Sequence, residues 1–346
     1  MSTRTTVTGP ALDPRIAALT GETLVELLDL AAARTPSSVA LVMRRGMVDE
    51  RWTYRQVAER SNRVARRLRR AGVEPGDRVL TWSQNDPWLV AAFFAIWKLG
   101  AAIAPLDLRM QTDVAVRIGA RTEPRLLLVG EGVDPDAAER LDVPMISVDE
   151  PSLDPIEGRS EPSLPLPPVR SSDVAEVIFT SGTTSDPKGV VLTHGQIVHT
   201  ARMFAQTVMA SKPDRALGGV PLSHMYAQTL LLLTGFVGGS TLVFLQSLMP
   251  KAVRATMQRE RITVLTLTPH LARLRLQAME AEARRTGREK GLARARRIAA
   301  RLPLPLRRLV FRSLLQQMGG ALSVIGCGSA RLDPELQEAW ETFGVR

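Results

Sequence analysis

The clearest chemical potential lies between Val177 and His194, which read Val177-Ile-Phe-Thr-Ser-Gly-Thr-Thr-Ser-Asp-Pro-Lys-Gly-Val-Val-Leu-Thr-His194. An apolar strand leads into four hydroxyls and a glycine: Thr180, Ser181, Gly182, Thr183 and Thr184. Pro187, Lys188 and Gly189 follow, and then a second apolar run. Backbone N–H groups, hydroxyls and one fixed cation are the groups a polyphosphate requires. Gly182 lets the backbone approach a ligand closely, and Lys188 supplies a point charge. The spacing is not that of a Walker A loop. Pro187 stands where its second glycine would be, and Gly189 where its magnesium-binding hydroxyl would be. No Gly-x-Gly-x-x-Gly follows a strand, so dinucleotide binding is not supported. The plain alternative is a hydroxyl-rich surface loop; the length of the ordered string argues against it.

The elements that must position this loop read as alternating helices and strands. Helical spacing runs from Glu22 to Arg34, and again from Trp52-Thr53-Tyr54 to about Ala71, with Thr53 as N-cap. Arg78–Trp82 reads as a strand, 87–99 as an apolar helix and 101–105 as a second strand. Leu126–Val129, 144–148, 174–179 and 321–325 are further strand candidates. Such alternation predicts an α/β fold with largely parallel sheets. Residues 1–20 read as a disordered tail, 21–150 as a first α/β lobe and 151–170 as a Pro-rich linker. Residues 171–346 read as a second α/β lobe, incomplete at its C-terminal end.

Composition narrows the class. The 346 residues are 45% hydrophobic and 23% charged, enough apolar material for a large core. One cysteine, Cys327, forbids an intrachain disulfide, and four scattered histidines make no zinc cluster, so no metal ligand set is read. This usage fits a reducing, cytoplasmic compartment. The net charge of +10 is uneven: residues 251–312 hold 17 Lys/Arg against 4 Asp/Glu, leaving the remainder slightly acidic. That segment reads as a solvated helical face, an anionic membrane surface patch or, least of all, a nucleic-acid site, since it lacks interleaved aromatics. Residues 216–250 contain no Asp, Glu, Lys or Arg. Their polar and glycine breaks predict a buried helix, a Gly238-Gly239 turn and a buried strand instead of a membrane span.

Thr180 to Gly189 resembles the Thr-Ser-Gly-Thr-Thr-Gly-x-Pro-Lys-Gly signature of the adenylate-forming (AMP-binding) enzymes, with Ser185 where the family usually has glycine. Trp52-Thr-Tyr-Arg-Gln-Val-Ala58, Gly76-Asp-Arg-Val79 and Lys98-Leu-Gly-Ala-Ala-Ile-Ala-Pro-Leu-Asp107 match further family segments in order. So do Pro221-Leu-Ser-His-Met225 and Gly326-Cys-Gly-Ser-Ala330. Ser223-His224-Met225-Tyr226-Ala-Gln228 and the basic segment are most similar to fatty acyl-CoA synthetases of the long-chain type.

The resemblance implies the layered αβαβα N-terminal domain of that family, built of two α/β lobes. It implies ATP-dependent activation of a fatty acid to acyl-AMP, then thioester formation with coenzyme A. Thr180, Ser181, Gly182, Thr183, Thr184 and Lys188 would hold the phosphates, bridged by magnesium. Thr184 and His224 would act at the reacting groups, with His224 beside the acyl pocket. Gly328, Ser329 and Ala330 would line the adenine and acyl side. The family's Tyr-Gly-x-Thr-Glu motif does not occur, because Tyr54 and Tyr226 are followed by Arg55 and Ala227. The expectation is therefore a domain truncated before its C-terminal domain, with part of its core uncovered. It would be complemented by a C-terminal chain, or else be an inactive remnant that binds nucleotide or a partner at most.

Overall fold

The computed structural model describes residues 21–45, 48–153, 165–180, 187–208, 214–247 and 249–346. The expected tail at 1–20 and residues 154–164 of the Pro-rich segment lie outside these. The described strands form two six-stranded sheets. The first has the order β12-β11-β9-β10-β1-β2: β1 Val39–Arg45, β2 Val48–Thr53, β9 Arg215–Gly218, β10 Thr241–Phe244, β11 Val264–Leu267 and β12 Val324–Cys327. The second has the order β6-β5-β3-β4-β7-β8: β3 Arg78–Trp82, β4 Ala102–Leu106, β5 Leu126–Val129, β6 Met145–Ser147, β7 Val174–Thr180 and β8 Lys188–Thr193. Each is parallel except for one antiparallel edge pair, β1–β2 and β7–β8.

Strand side chains alternate between the layers as the period of two demands. Leu41 and Met43 of β1 enter the central core, while Val42 faces outward into a second cluster with Phe311 and Trp340. In β5, Leu126 and Leu128 point to the central core and Leu127 to a third cluster with Ile118. Three apolar clusters separated by two sheets make the αβαβα arrangement.

The central layer is organised by the helix Pro87–Lys98. Every one of its residues is buried, as a helix apolar on all sides requires. Asp86 caps it by accepting from the Trp88 N–H at 2.8 Å, and Pro87 occupies the first turn, where its missing N–H costs nothing. It contacts β4 of one sheet and β1 of the other. The buried Lys98 ammonium donates to Asn62 Oδ1 at 2.7 Å and lies 3.4 Å from Asp29 Oδ1. The neighbouring helices Leu24–Arg34 and Tyr54–Arg70 each begin with a capping box, Thr23 with Glu26 and Thr53 with Gln56.

The division of the chain into a lobe before the Pro-rich segment and a lobe after it is overturned. β1 and β2 join the sheet built mainly from residues beyond 214, and β7 and β8 join the sheet built from residues 78–147. Strands pair through the backbone N–H and C=O groups at their edges, so segments distant in the chain can share a sheet. Two further corrections concern the C-terminal part. The last strand begins at Val324, three residues later than expected, because Gly319 and Gly320 adopt left-handed conformations and extend the turn. The C-terminal segment covers the outer face of the first sheet: Trp340, Phe343 and Val345 are buried there. The Arg346 backbone pairs with Ser323 and Ile325 beside β12.

Residues 225–238 form the expected buried helix, which runs through a π-helical stretch at Gln228–Leu233. Gly239, with φ +71, ends it before β10. Among the described residues no helix is long and apolar enough to cross a membrane. The basic segment folds into helices on the outside of the first sheet, Pro269–Arg285, Glu289–Ala299 and Leu304–Val310 among them.

Removing the cap of the central helix tests this organisation. Asp86→Ala also deprives Arg45 of an ion-pair partner, and the expected loss is about 1–2 kcal/mol, read as a lower urea midpoint with an unchanged slope.

Candidate active site

The site forms where strands of the second sheet end and the Pro221–His224 segment of the first sheet crosses them. Parallel sheets present their carboxyl ends to ligands because successive helices leave to opposite faces and open a crevice there. Asp107 follows β4 directly and Thr180 ends β7. Asn85, just beyond β3, binds the crossing segment: its Nδ2 donates to the Val220 and Gly218 carbonyls at 2.8 and 3.2 Å. Its Oδ1 accepts from the Leu222 N–H at 2.7 Å. A single side chain thereby fixes one sheet's loop to the other sheet's edge.

That placement brings His224 to Asp107. His224 Nε2 lies 2.8 Å from Asp107 Oδ2, so a neutral imidazole carries its proton on Nε2 and keeps Nδ1 as an acceptor. Arg109 grips the same carboxylate, with Nε 3.0 Å from Oδ1 and Nη2 3.0 Å from Oδ2. The hydrogen bond from His224, together with the Arg109 guanidinium, holds the Asp107 carboxyl well below the usual carboxylate range despite partial burial. Ser223 Oγ lies 3.4 Å from Asp107 Oδ2. These groups line a cleft of about 570 Å³ with Met110, Val114, Ile118, Phe179, Thr180 and Pro187. An apolar lining with a few convergent polar groups suits an organic ligand that carries a charged end.

Of the residues expected to hold phosphate, Thr180 and Lys188 are among the described residues. The antiparallel register sets Thr180 opposite Lys188, so the hydroxyl-rich segment is the connection of the β7–β8 pair. Thr180 and Lys188 are both exposed at its mouth. Ser181, Gly182, Thr183 and Thr184 lie outside the described residues. The strand is anchored from beneath, because Trp97 Nε1 of the central helix donates to the Ala175 carbonyl at 2.9 Å.

Gly328, Ser329 and Ala330 follow β12 and meet the same crossing segment through Tyr226. The Tyr226 hydroxyl donates to the Gly326 carbonyl at 2.8 Å. A Cβ on Gly328 would lie 2.1 Å from Tyr226 Cε2, so only glycine fits beneath that ring. Ser329 adopts φ +67, a left-handed backbone that costs a serine energy. Cys327 is half-buried, and burial pushes its thiol pKa up. His194 is a core residue: its Nδ1 accepts from the Leu24 N–H at 3.3 Å, and burial lowers its pKa to about 4.

Sequence reasoning gave no role to Asn85, Asp107, Arg109 or Tyr226. Asp107 ends the Lys98–Asp107 family segment, and its position directly after a strand is the signal that marks it. Asn85 and Tyr226 act through backbone partners 135 and 100 residues away, which no local pattern reveals.

A family model described as AMP-binding enzyme matches residues 28–346. The chain belongs to the AMP-binding enzyme family. Feruloyl-CoA synthase from Amycolatopsis sp is 33% identical over 222 residues, covering 63% of this chain and 43% of that protein. Crotonobetaine/carnitine–CoA ligase from Escherichia fergusonii is 27% identical over 243 residues, covering 66% and 47%. The chain thus spans less than half the length of these relatives. Among solved structures, O-succinylbenzoate coenzyme A synthetase from Bacillus subtilis in complex with AMP superposes with a TM-score of 0.69 at 21% identity, covering 92% of this chain and 71% of that one. A putative long-chain-fatty-acid CoA ligase from Rhodopseudomonas palustris gives 0.69 at 19% identity, covering 93% and 72%. These likenesses establish the fold of an adenylate-forming N-terminal domain.

Asn85→Ala tests how the site is held. It leaves the Gly218 and Val220 carbonyls and the Leu222 N–H without this partner, at a cost of about 1–3 kcal/mol. Hydrogen exchange at Leu222 is expected to accelerate, whereas that of the central helix is expected to change little.

Proposed function

We propose that this chain is the nucleotide- and acid-binding portion of an ATP-dependent acid–CoA ligase, with a fatty acid as the carboxylate. In that chemistry the acid's carboxylate oxygen attacks the α-phosphorus of ATP, acyl-AMP forms and pyrophosphate leaves. The thiol of coenzyme A then displaces AMP. The carboxylate is itself the nucleophile, so no protein nucleophile is required. The observation that carries the reading is the pairing of Thr180 with Lys188 at the mouth of the β7–β8 connection, beside the His224 cleft. There Thr180 and Lys188, with Ser181, Gly182, Thr183 and Thr184, would hold the β- and γ-phosphates and offset charge on the departing pyrophosphate. His224, fixed by Asp107, would face the acyl carboxylate, and Gly328, Ser329 and Ala330 would border the adenine.

Magnesium would arrive on the phosphates. Among the described residues no group of three His, Cys, Asp or Glu side chains could hold a metal ion, and Asp107 is already engaged by His224 and Arg109. This ion commonly keeps its waters and binds through phosphates with one or two carboxylates.

Lys188→Ala is expected to weaken ATP binding about tenfold in calorimetry; equal affinity would sink the phosphate assignment. Carboxylate-dependent ATP–pyrophosphate exchange by the 346-residue polypeptide alone is expected to be near background, because it contains no Tyr-Gly-x-Thr-Glu motif. Robust exchange would overturn that expectation. ATP binding without exchange also suits the second reading, a remnant that binds nucleotide or a complementary chain at most. Adding a C-terminal portion from a relative separates the two, since only a competent half gains exchange. Fatty acids and ferulate, compared in that assay, decide the acid.

The basic helices supply a surface suited to anionic lipid, from which a fatty acid could be drawn. Lys290, Arg294 and Arg297 are exposed at helical spacing and Arg301 is exposed just beyond the helix end; Arg294, Arg297 and Arg301 have no carboxylate partner among the described residues. Ile298 is 49% exposed among them, and Leu309 on the next helix is 68% exposed. Cations flanking exposed aliphatic side chains fit a charged membrane surface better than a nucleic acid. Co-sedimentation with phosphatidylglycerol-containing vesicles is expected at low salt and not with phosphatidylcholine alone. It should fall in high salt and in the Arg294→Glu/Arg297→Glu/Arg301→Glu variant. Binding to DNA without binding to vesicles would overturn this assignment.

A further inference from the structure

Glu176 sits within β7, four residues before Thr180, and is completely buried. Its Oε1 accepts from Gln228 Nε2 at 2.8 Å, and the same amide nitrogen donates to the Leu222 carbonyl at 2.8 Å. Gln228 is equally buried and opens the π-helical stretch Gln228–Leu233. Two atoms of this contact, Glu176 Oε2 and Gln228 Oε1, are buried without a hydrogen-bond partner. Each would accept a proton, and neither can give one while the carboxyl is ionised.

One proton resolves both. A neutral Glu176 donates from Oε2 to Gln228 Oε1 while Gln228 Nε2 donates back to Glu176 Oε1. The result is a ring of two hydrogen bonds, and the second amide proton remains on the Leu222 carbonyl. Every polar group of the pair is then used. Ionisation breaks one arm of the ring and leaves both oxygens without a donor in a dry interior, the state buried polar groups avoid. The surroundings favour the neutral acid. β4 sets Ile103 and β8 sets Leu192 across from Glu176. The crossing segment contributes Gln228 and the Leu222 carbonyl, and its His224 is bound to Asp107. Burial pushes the Glu176 carboxyl up to about 8, and no charged group contributes to that shift.

The two partners belong to different halves of the site. β7 carries the phosphate-binding connection, whereas Leu222 and Gln228 bracket His224. We propose that Glu176 is a positioning residue, kept as the neutral acid in a two-hydrogen-bond pair with Gln228 that fixes the His224 segment against the strand bearing the phosphate loop. Its relevance to ligand binding rests on the nucleotide reading above; the pair itself does not.

Glu176→Gln and Glu176→Leu separate the pair from burial alone. A glutamine offers an N–H to Gln228 Oε1 and a carbonyl to Nε2, so it keeps the ring and cannot ionise. Leucine fills the space and removes both bonds. Infrared difference spectra of the 346-residue protein against Glu176→Gln are expected to show the carbonyl band of a neutral carboxylic acid near neutral pH. That band should fade as pH passes about 8. Hydrogen exchange of residues 221–233, corrected for its intrinsic pH dependence, is expected to rise about tenfold over the same interval in the wild type. It should stay flat in Glu176→Gln and be raised at every pH in Glu176→Leu. Absence of the acid band near neutral pH, or a Glu176→Gln exchange profile that follows the wild type, overturns the proposal. AMP affinity is measured in parallel. If no form binds AMP while the band and exchange behave as expected, the nucleotide reading fails and the acid–amide pair stands.

Discussion

The complete burial of the helix Pro87–Lys98 governs the rest of the molecule. Twelve residues with no polar face cannot be covered by one sheet, so the helix requires apolar surface on both sides. The chain supplies it by building two sheets, each with one face turned inward. The outward faces of those sheets are apolar too, which calls for the two outer helical layers. The polar groups at the ends of the helix are each paired: Asp86 caps its first turn and Lys98 reaches Asn62 and Asp29. Those pairs matter because an unpaired charge in this layer would cost several kcal/mol.

The site inherits its rigidity from that layer. Trp97 holds β7 from beneath, and Asn85, one residue before the Asp86 cap, holds the crossing segment from above. The cap of the central helix and the anchor of the His224 segment are thus adjacent in the chain. Asp107 and Arg109 then set the imidazole, and Tyr226 ties the end of β12 to the same segment. The Asn85 and Asp107 links join one sheet to the other, whereas Trp97 ties the central helix to β7 and Tyr226 ties two parts of the first sheet. The geometry of the cleft therefore depends on how the sheets lie across the central helix, and a change in that packing reaches every group in it.

Much of the local architecture was legible in the sequence because it depends on neighbouring residues. Thr53 as N-cap, the strands Arg78–Trp82 and Leu126–Val129, and the break of the buried helix at Gly239 all follow from capping chemistry, apolar runs or left-handed glycine. The hydroxyl-rich segment with Lys188 carried the family resemblance, because its residues are consecutive in the chain. The β1–β2 pair was not legible. Arg44-Arg45 and Asp49-Glu50-Arg51 are runs of consecutive charge that break the period of two, and β10, the parallel partner of β1, lies about 200 residues away.

The sequence by itself determined the fold class and the family, and it singled out the hydroxyl-rich segment with Lys188. The tertiary structure decided which strands share a sheet and which side chains meet His224. It also decided that Glu176 would face an amide in a dry interior. The reason is the range of the forces involved. Caps, turns and phosphate loops are contacts between residues a few positions apart, and their spacing shows in the chain. Sheet order and buried polar pairs are set by the need to cover apolar faces and to satisfy every buried donor and acceptor at once. That balance exists only when distant segments are packed together.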